Sequence, residues 1–251
     1  MIELERLTKR YGGFTAVEEL SLRVERGEIF GFLGPNGAGK TTTIRMMMGL
    51  LLPTSGRIRL GGFDLADDPI AAKRLSGFVP DRPFLYEKLT AAELLRFCGD
   101  LYEVEPRVRE ARIDKLLEVF DLVEWAGELI ESFSHGMKQR LAFAAALLHE
   151  PRLLVVDEPM VGMDPRGARM LRSLLRSLAL GGTTLFLSTH SLEVAEALCD
   201  RIGIIQSGRL IAIGTLDELR ARAGDARGLE DVFLKLTGAE DLLDVIEALR
   251  A

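Results

Sequence analysis

Cysteine is nearly absent: the 251 residues include only Cys98 and Cys199, far apart in the chain. Their spacing matches no zinc finger, redox pair or disulfide framework, and so few thiols fit a reducing compartment. An excess of positive charge is missing too. Lys+Arg 32 against Asp+Glu 38 leaves −6, so the bulk charge does not point to nucleic acid. Long apolar runs are lacking: Met46–Leu52 and Leu141–Leu148 fall far short of the ~20 residues that span a bilayer. The opening residues contain no apolar stretch of the kind a signal peptide needs. These absences lead to the expectation of a soluble cytoplasmic protein. At 47% hydrophobic and 28% charged the composition excludes disorder, and the length suits one large domain or two small ones. Glycine is over-represented, with 25 residues against a usual share of ~7%.

Several glycines sit in short clusters after apolar runs, as punctuation between strands and helices. Leu20–Val24 alternates with period two and predicts a half-buried strand. Ile29–Leu33 is a continuous apolar run ending at Gly34, as expected of a central strand. From Lys40 to Leu50 the pattern turns helical, and Gly49, Pro53 and Gly56 end it. Short strands are expected around Ile58–Leu60 and Gly77–Val79. The stretch from about 85 to 150 reads as a helical insertion. Thr90 and Glu93 form a capping box, Val108–Phe120 has helical spacing, and a third helix follows Ser134. Strands at Leu153–Val156, Thr184–Leu187 and Ile202–Ile205 then alternate with helices at Pro165–Leu180 and Leu192–Cys199. That alternation predicts a parallel sheet covered on both faces. Residues from Asp217 onward are helical and charged, with a soft break at Ala223–Gly228.

Gly34, Pro35, Asn36, Gly37, Ala38, Gly39, Lys40 and Thr41 fit the pattern G-x-x-x-x-G-K-[ST] between a buried strand and a helix. Glycines let the backbone wrap so that several N–H groups point at one anion, and the helix adds its positive N-terminus. Lys40 supplies charge for β- and γ-phosphates. Thr41, with Thr42 beside it, places a hydroxyl for Mg2+. The strand Leu153–Val156 carries Asp157 to a strand C-terminus, where open α/β sheets bind ligands. Asp157 is the expected carboxylate on the Mg2+ side, and Glu158 the candidate to orient or deprotonate the attacking water.

Lys40 and Asp157 are too far apart for a minimal strand–loop–helix–strand unit, so an insertion separates them. It contains Phe133-Ser134-His135-Gly136-Met137-Lys138-Gln139-Arg140. With that segment the sequence resembles the ATP-binding subunits of ABC transporters over about residues 2–237, in the branch of drug, sodium and polymer exporters. Ser134 and Gly136 of the family's signature are kept, while Phe133, His135 and Met137 differ from its usual form. The ending Leu229–Gly238 also resembles the exporter branch.

The resemblance implies an α/β P-loop fold with a mainly parallel core sheet, an N-terminal antiparallel β subdomain and a helical insertion carrying the signature. It implies an ATP-binding domain over 1–220 and a C-terminal helical extension over 221–251. Tyr11 stands where the family stacks an aromatic on adenine; otherwise it is a surface tyrosine at a strand end. Asp164 matches the aspartate loop, and as a helix cap before Pro165 it can serve both purposes. His190 matches the switch histidine that contacts the γ-phosphate. Where the family has a metal-contacting glutamine this chain has Asp81, which can ligate Mg2+ or simply fix a turn.

In the family each ATP lies between one subunit's phosphate loop and its partner's signature, so the resemblance implies a head-to-tail dimer, at least with ATP bound. It implies a separate transmembrane permease, touched through the helical insertion and the Asp81 loop near Phe84–Tyr86. No nucleic acid is expected, and the place implied is the inner face of the cell membrane, reached only through the permease. The rival is an ABC-type ATPase without a transport role, in cofactor assembly or nucleic-acid maintenance. The chain lacks the long heptads and tandem cassettes that several such proteins need. A small-molecule kinase would not need the signature.

Overall fold

In the computed structural model, residues 1–161, 163–224 and 228–237 are described. Two sheets form the body. The first is antiparallel, in the order β2-β1-β4-β5, from β1 (Ile2–Tyr11), β2 (Phe14–Val24), β4 (Ser55–Leu60) and β5 (Phe63–Asp64). The second has six strands in the order β10-β9-β3-β8-β7-β6. Its members are β3 (Ile29–Leu33), β6 (Ser76–Val79), β7 (Leu153–Asp157), β8 (Thr184–Thr189), β9 (Arg201–Gln206) and β10 (Arg209–Gly214). All its pairings are parallel except β10 on β9. A mainly parallel core beside an N-terminal antiparallel sheet is the architecture expected from the sequence.

Strand alternation decides what each face of the core sheet meets. Phe30, Phe32, Leu153, Val155 and Phe186 face the antiparallel sheet and helix α1 (Lys40–Met47), sharing a core with Ile2, Leu4, Leu7 and Ile44. Ile29, Leu154, Val156, Leu185 and Leu187 face the other way, into a core with Leu94, Leu117, Phe120 and Phe143. Those residues come from α3 (Ala91–Leu101), α4 (Pro106–Val119), the turn just after α4, and α5 (His135–Leu147). Each fully buried Leu or Phe contributes roughly 1.5–3 kcal/mol, so β7 and β8, apolar on both faces, anchor the sheet.

The helix starts follow their caps. Thr90 accepts from Glu93 N–H while the Glu93 carboxylate accepts from Thr90 N–H, which completes the expected capping box. Asp164 caps α6 (Pro165–Leu180), with Pro165 at the first turn. Helix α1 ends at Met47, earlier than the sequence suggested, because the chain turns at Gly49 with φ +61°. Four elements go beyond the sequence expectations: β1, β5, β10 and the short helix α2 (Pro69–Arg74). Beyond α7 (Leu192–Leu198) and the β9–β10 hairpin come α8 (Leu216–Arg222) and α9 (Leu229–Thr237). The remainder of the expected C-terminal extension, 238–251, lies outside the described residues.

Candidate functional site

The C-terminal ends of β3, β7 and β8 meet on one ledge. Strand β3 delivers the glycine loop, β7 delivers Asp157 and Glu158, and β8 leads to Ser188, Thr189 and His190. Two glycines in the loop are sterically required. A Cβ at Gly34 would lie 2.3 Å from the Ile205 carbonyl oxygen. Gly39 has φ +108°, and a Cβ there would lie 2.6 Å from the Ala16 carbonyl oxygen. Gly39 also starts α1 without any side-chain cap. The first-turn N–H groups are therefore available to an anion, where the helix dipole favours negative charge.

Lys40 is buried and folds back on the loop. Its Nζ donates to the carbonyls of Gly34 at 2.7 Å and Pro35 at 3.2 Å, and lies 3.8 Å from Glu158 Oε1. Burial holds its pKa below the ordinary lysine value, against the opposing pull of the Glu158 and Asp157 charges. Thr41 Oγ1 donates to Asp157 Oδ2 at 3.0 Å, and Ser188 Oγ donates to the other oxygen, Oδ1. Burial pushes the Asp157 carboxyl above its usual range. The Ser188 and Thr41 hydroxyls pull it back, and the charges of Glu158 and Asp81 push it up further. Asp81, just past β6, thus stands within electrostatic reach of Asp157.

Glu158 leaves β7 in the left-handed region at φ +52°, with its N–H bonded to the Ser188 carbonyl at 3.0 Å. His190 Nδ1 pairs with its Oε1 at 2.9 Å, and Thr189 Oγ1 donates to its Oε2 at 3.2 Å. Lys40, Thr41, Asp157, Glu158 and His190 are thereby brought together. Ser188 and Thr189 had not been assigned any role from sequence; two hydroxyls directly before His190 were the available signal.

Among the described residues, the other expected side chains make no hydrogen bond to this cluster. Tyr11 ends β1, half exposed, with Lys9 Nζ 5.2 Å above its ring. Ser134 is exposed at the start of α5, where its hydroxyl accepts from Met137 N–H. A Cβ at Gly136 would meet nothing within 4 Å, so packing inside this chain does not demand glycine there. Asp164 is occupied as the cap of α6. A cavity of about 820 Å³ lies at the opposite ends of the strands, beside Leu75, Arg152 and Thr184, and touches none of these groups.

His149 lies just past α5. It stacks on Tyr102 at 3.7 Å between ring centres, and its Nε2 lies 3.2 Å from the Ser76 carbonyl oxygen. Burial lowers its pKa from 6.5 to about 4. The unfolded chain therefore takes up a proton that the native state refuses. Stability is full above pH 6.5 and falls as pH drops toward 4, by on the order of 2 kcal/mol after allowing for partial exposure. His149→Phe should keep the stack and flatten this part of the curve. An unchanged slope in urea midpoints across that window would remove His149 as its source.

A glycine loop between a buried strand and an uncapped helix, facing two carboxylates at the switch of a parallel sheet, defines a P-loop nucleotide triphosphatase. The family model described as ABC transporter matches residues 17–161. The chain is 42% identical over 237 residues to the linearmycin resistance ATP-binding protein LnrL of Bacillus subtilis (strain 168), covering 94% of this chain and 75% of that protein. A solved ATP-binding subunit of an ABC transporter superposes with a TM-score of 0.90 at 36% identity, covering 94% of this chain and 99% of that one. The dimeric post-hydrolysis state of the ATP-binding cassette MJ0796, bound to ADP and Pi, superposes with a TM-score of 0.79 at 26% identity, covering 86% and 98%. The chain belongs to the ABC transporter family, as an ATPase subunit.

Proposed function

We propose that this chain powers an exporter, hydrolysing Mg·ATP between two copies of itself while a separate membrane-spanning partner carries the substrate. The observation that carries the reading is the single ledge where Lys40, Thr41, Asp157, Glu158 and His190 converge. Gly34 to Thr42 take the phosphates, with Lys40 turning from its own loop carbonyls to the β- and γ-oxygens. The hard oxygen set of Thr41 and Asp157, with Asp81 beside it, suits Mg2+. Thr41 and Asp157 would hold the ion, which would supply positive charge to offset that of the phosphates. Glu158 orients and deprotonates the attacking water. His190, tied to Glu158 through Nδ1, leaves Nε2 for the γ-phosphate.

The dimer supplies what one copy does not bring to the ledge. Ser134 is exposed on the insertion and Gly136 leaves open space beside it, which suits close approach to a partner's nucleotide. Tyr11 takes the adenine, and Asp164 faces the partner's phosphate loop. Similarity to a linearmycin resistance protein and to a dimeric cassette supports export and dimerisation.

Among the described residues no helix is long and apolar enough to cross a membrane. Likeness to a solved ATP-binding subunit of an ABC transporter supports assigning membrane contact to a separate permease at the inner face of the cell membrane. The docking surface is the exposed apolar group Phe84, Tyr86, Phe97 and Leu101; Phe84 is 94% exposed. Patches of this kind mark interfaces.

The test is a search of the neighbouring reading frames for a multispan membrane protein, followed by its co-expression with this chain. Co-purification and stimulated ATP hydrolysis are expected, and Phe84→Glu should lose both while retaining ATP binding. Absence of stimulation together with absence of co-purification would remove the motor reading.

A further inference from the structure

Glu158 is held by more than the histidine. Strand parity sorts the two carboxylates and the two hydroxyls into pairs. In the parallel register Asp157 lies opposite Ser188. Phe186 packs toward α1 along with Leu153 and Val155, so alternation sends Ser188 and Asp157 to that same face. Their hydrogen bond agrees. Thr189 follows Leu187 on the opposite parity, and there it meets the residue after Asp157. Both oxygens of Glu158 are engaged: Oε1 by His190 and the nearby Lys40, Oε2 by Thr189.

The Thr189 hydroxyl is itself oriented. It accepts the Ser191 N–H at 3.0 Å, which occupies a lone pair and leaves its one hydrogen for Glu158 Oε2. The side chain is 2% exposed, and a β-branched residue in a strand has restricted χ1 freedom. Thr189 is therefore a rigid, buried donor aimed at an oxygen that His190 does not hold. A glutamate with one oxygen fixed can still swing about its terminal torsion, which is broad and roughly two-fold. A second donor at fixed angle removes that freedom.

We propose that Thr189 is a positioning residue for Glu158, fixing the carboxylate plane so that the oxygen shared with His190 faces the phosphate side of the ledge. This rests on the reading of Glu158 as the group that handles the attacking water. Thr189 acts through Glu158 and touches no reacting atom. Loss of its hydroxyl therefore lowers kcat and leaves nucleotide binding as it was.

The experiment compares Thr189→Val, which keeps the shape and removes the donor, with Thr189→Ser, which keeps the donor. Steady-state hydrolysis gives kcat, and equilibrium titration with a fluorescent ATP analogue gives Kd. The valine variant should lose on the order of tenfold in kcat, the scale of one hydrogen bond to a charged group, with Kd unchanged and serine restoring most of the rate. Wild-type kcat in the valine variant, or equal losses for valine and serine, overturns the proposal. If valine does not fold, as judged by thermal melting, Thr189→Ala carries the same comparison. A second measurement places Thr189→Val in a Glu158→Gln background. An effect through Glu158 vanishes there, whereas an undiminished loss overturns it. Glu158→Gln alone tests the underlying reading: near-normal turnover in that variant would sink the assignment of Glu158, whatever the Thr189 variants do.

Discussion

Glu158→Gln is expected to cut ATP turnover by about 10²–10⁴-fold, the usual contribution of a positioned acid or base, while ATP binding persists. Glutamine keeps the size of the side chain and an oxygen that can accept from Thr189 or His190, so the ledge should hold its shape. What it loses is the negative charge that attracts a proton from water. The same substitution removes a carboxylate 3.8 Å from Lys40 Nζ, which frees the ammonium for phosphate. Nucleotide should then remain between two copies without being consumed. Size-exclusion chromatography with ATP should show a shift toward twice the monomer mass, and Ser134→Arg should cancel it by placing bulk and charge in the interface. A Glu158→Gln protein that stays monomeric with saturating ATP, alone and when reconstituted with its membrane partner, would sink the head-to-tail arrangement.

Lys40→Ala should abolish measurable ATP binding and with it all turnover. Charge-assisted hydrogen bonds of this kind are worth about 1.5–3 kcal/mol each, and a lysine that bridges two phosphates makes more than one. The structure adds a further reason for a large effect. Lys40 is already buried, so its desolvation precedes the nucleotide, and binding exchanges its bonds to the Gly34 and Pro35 carbonyls for phosphate oxygens. The alanine variant should fold, because it removes a buried charge together with its desolvation cost. Its melting temperature should no longer rise with ATP. A retained ATP-dependent rise equal to that of wild type would overturn the assignment of Lys40.

Legibility in the sequence followed the range of the interaction. The glycine loop, the capping box at Thr90 and Glu93, and the start of α6 at Asp164 and Pro165 are decided within a few residues, and all three were readable. Strand β1 was not readable, because Arg6 at φ +46° and the register shifts around Leu7 break its alternation. Strand β10 had a local signal that was passed over. Ser207 and Gly208 both take positive φ, the two-residue turn that closes a hairpin. The hydroxyl contacts of Ser188 and Thr189 reach carboxylates 31 positions away. Two hydroxyls before His190 hint at a role, but which carboxylate each one meets depends on how β7 and β8 align.

That alignment bears on how this chain can change over generations. Adding or deleting one residue within Leu153–Asp157 would reverse the parity of every side chain beyond it. Asp157 and Glu158 would exchange faces, and the residues that now fill two separate cores would exchange with them. The strand can drift by substitution, Val for Ile or Leu for Met, but its length is locked. By contrast, the connection between β4 and β5 at Gly61 and Gly62 could grow or shrink with little consequence for the ledge. Lineages of this chain should therefore differ in the lengths of such surface turns while β7 and β8 keep the same residue count.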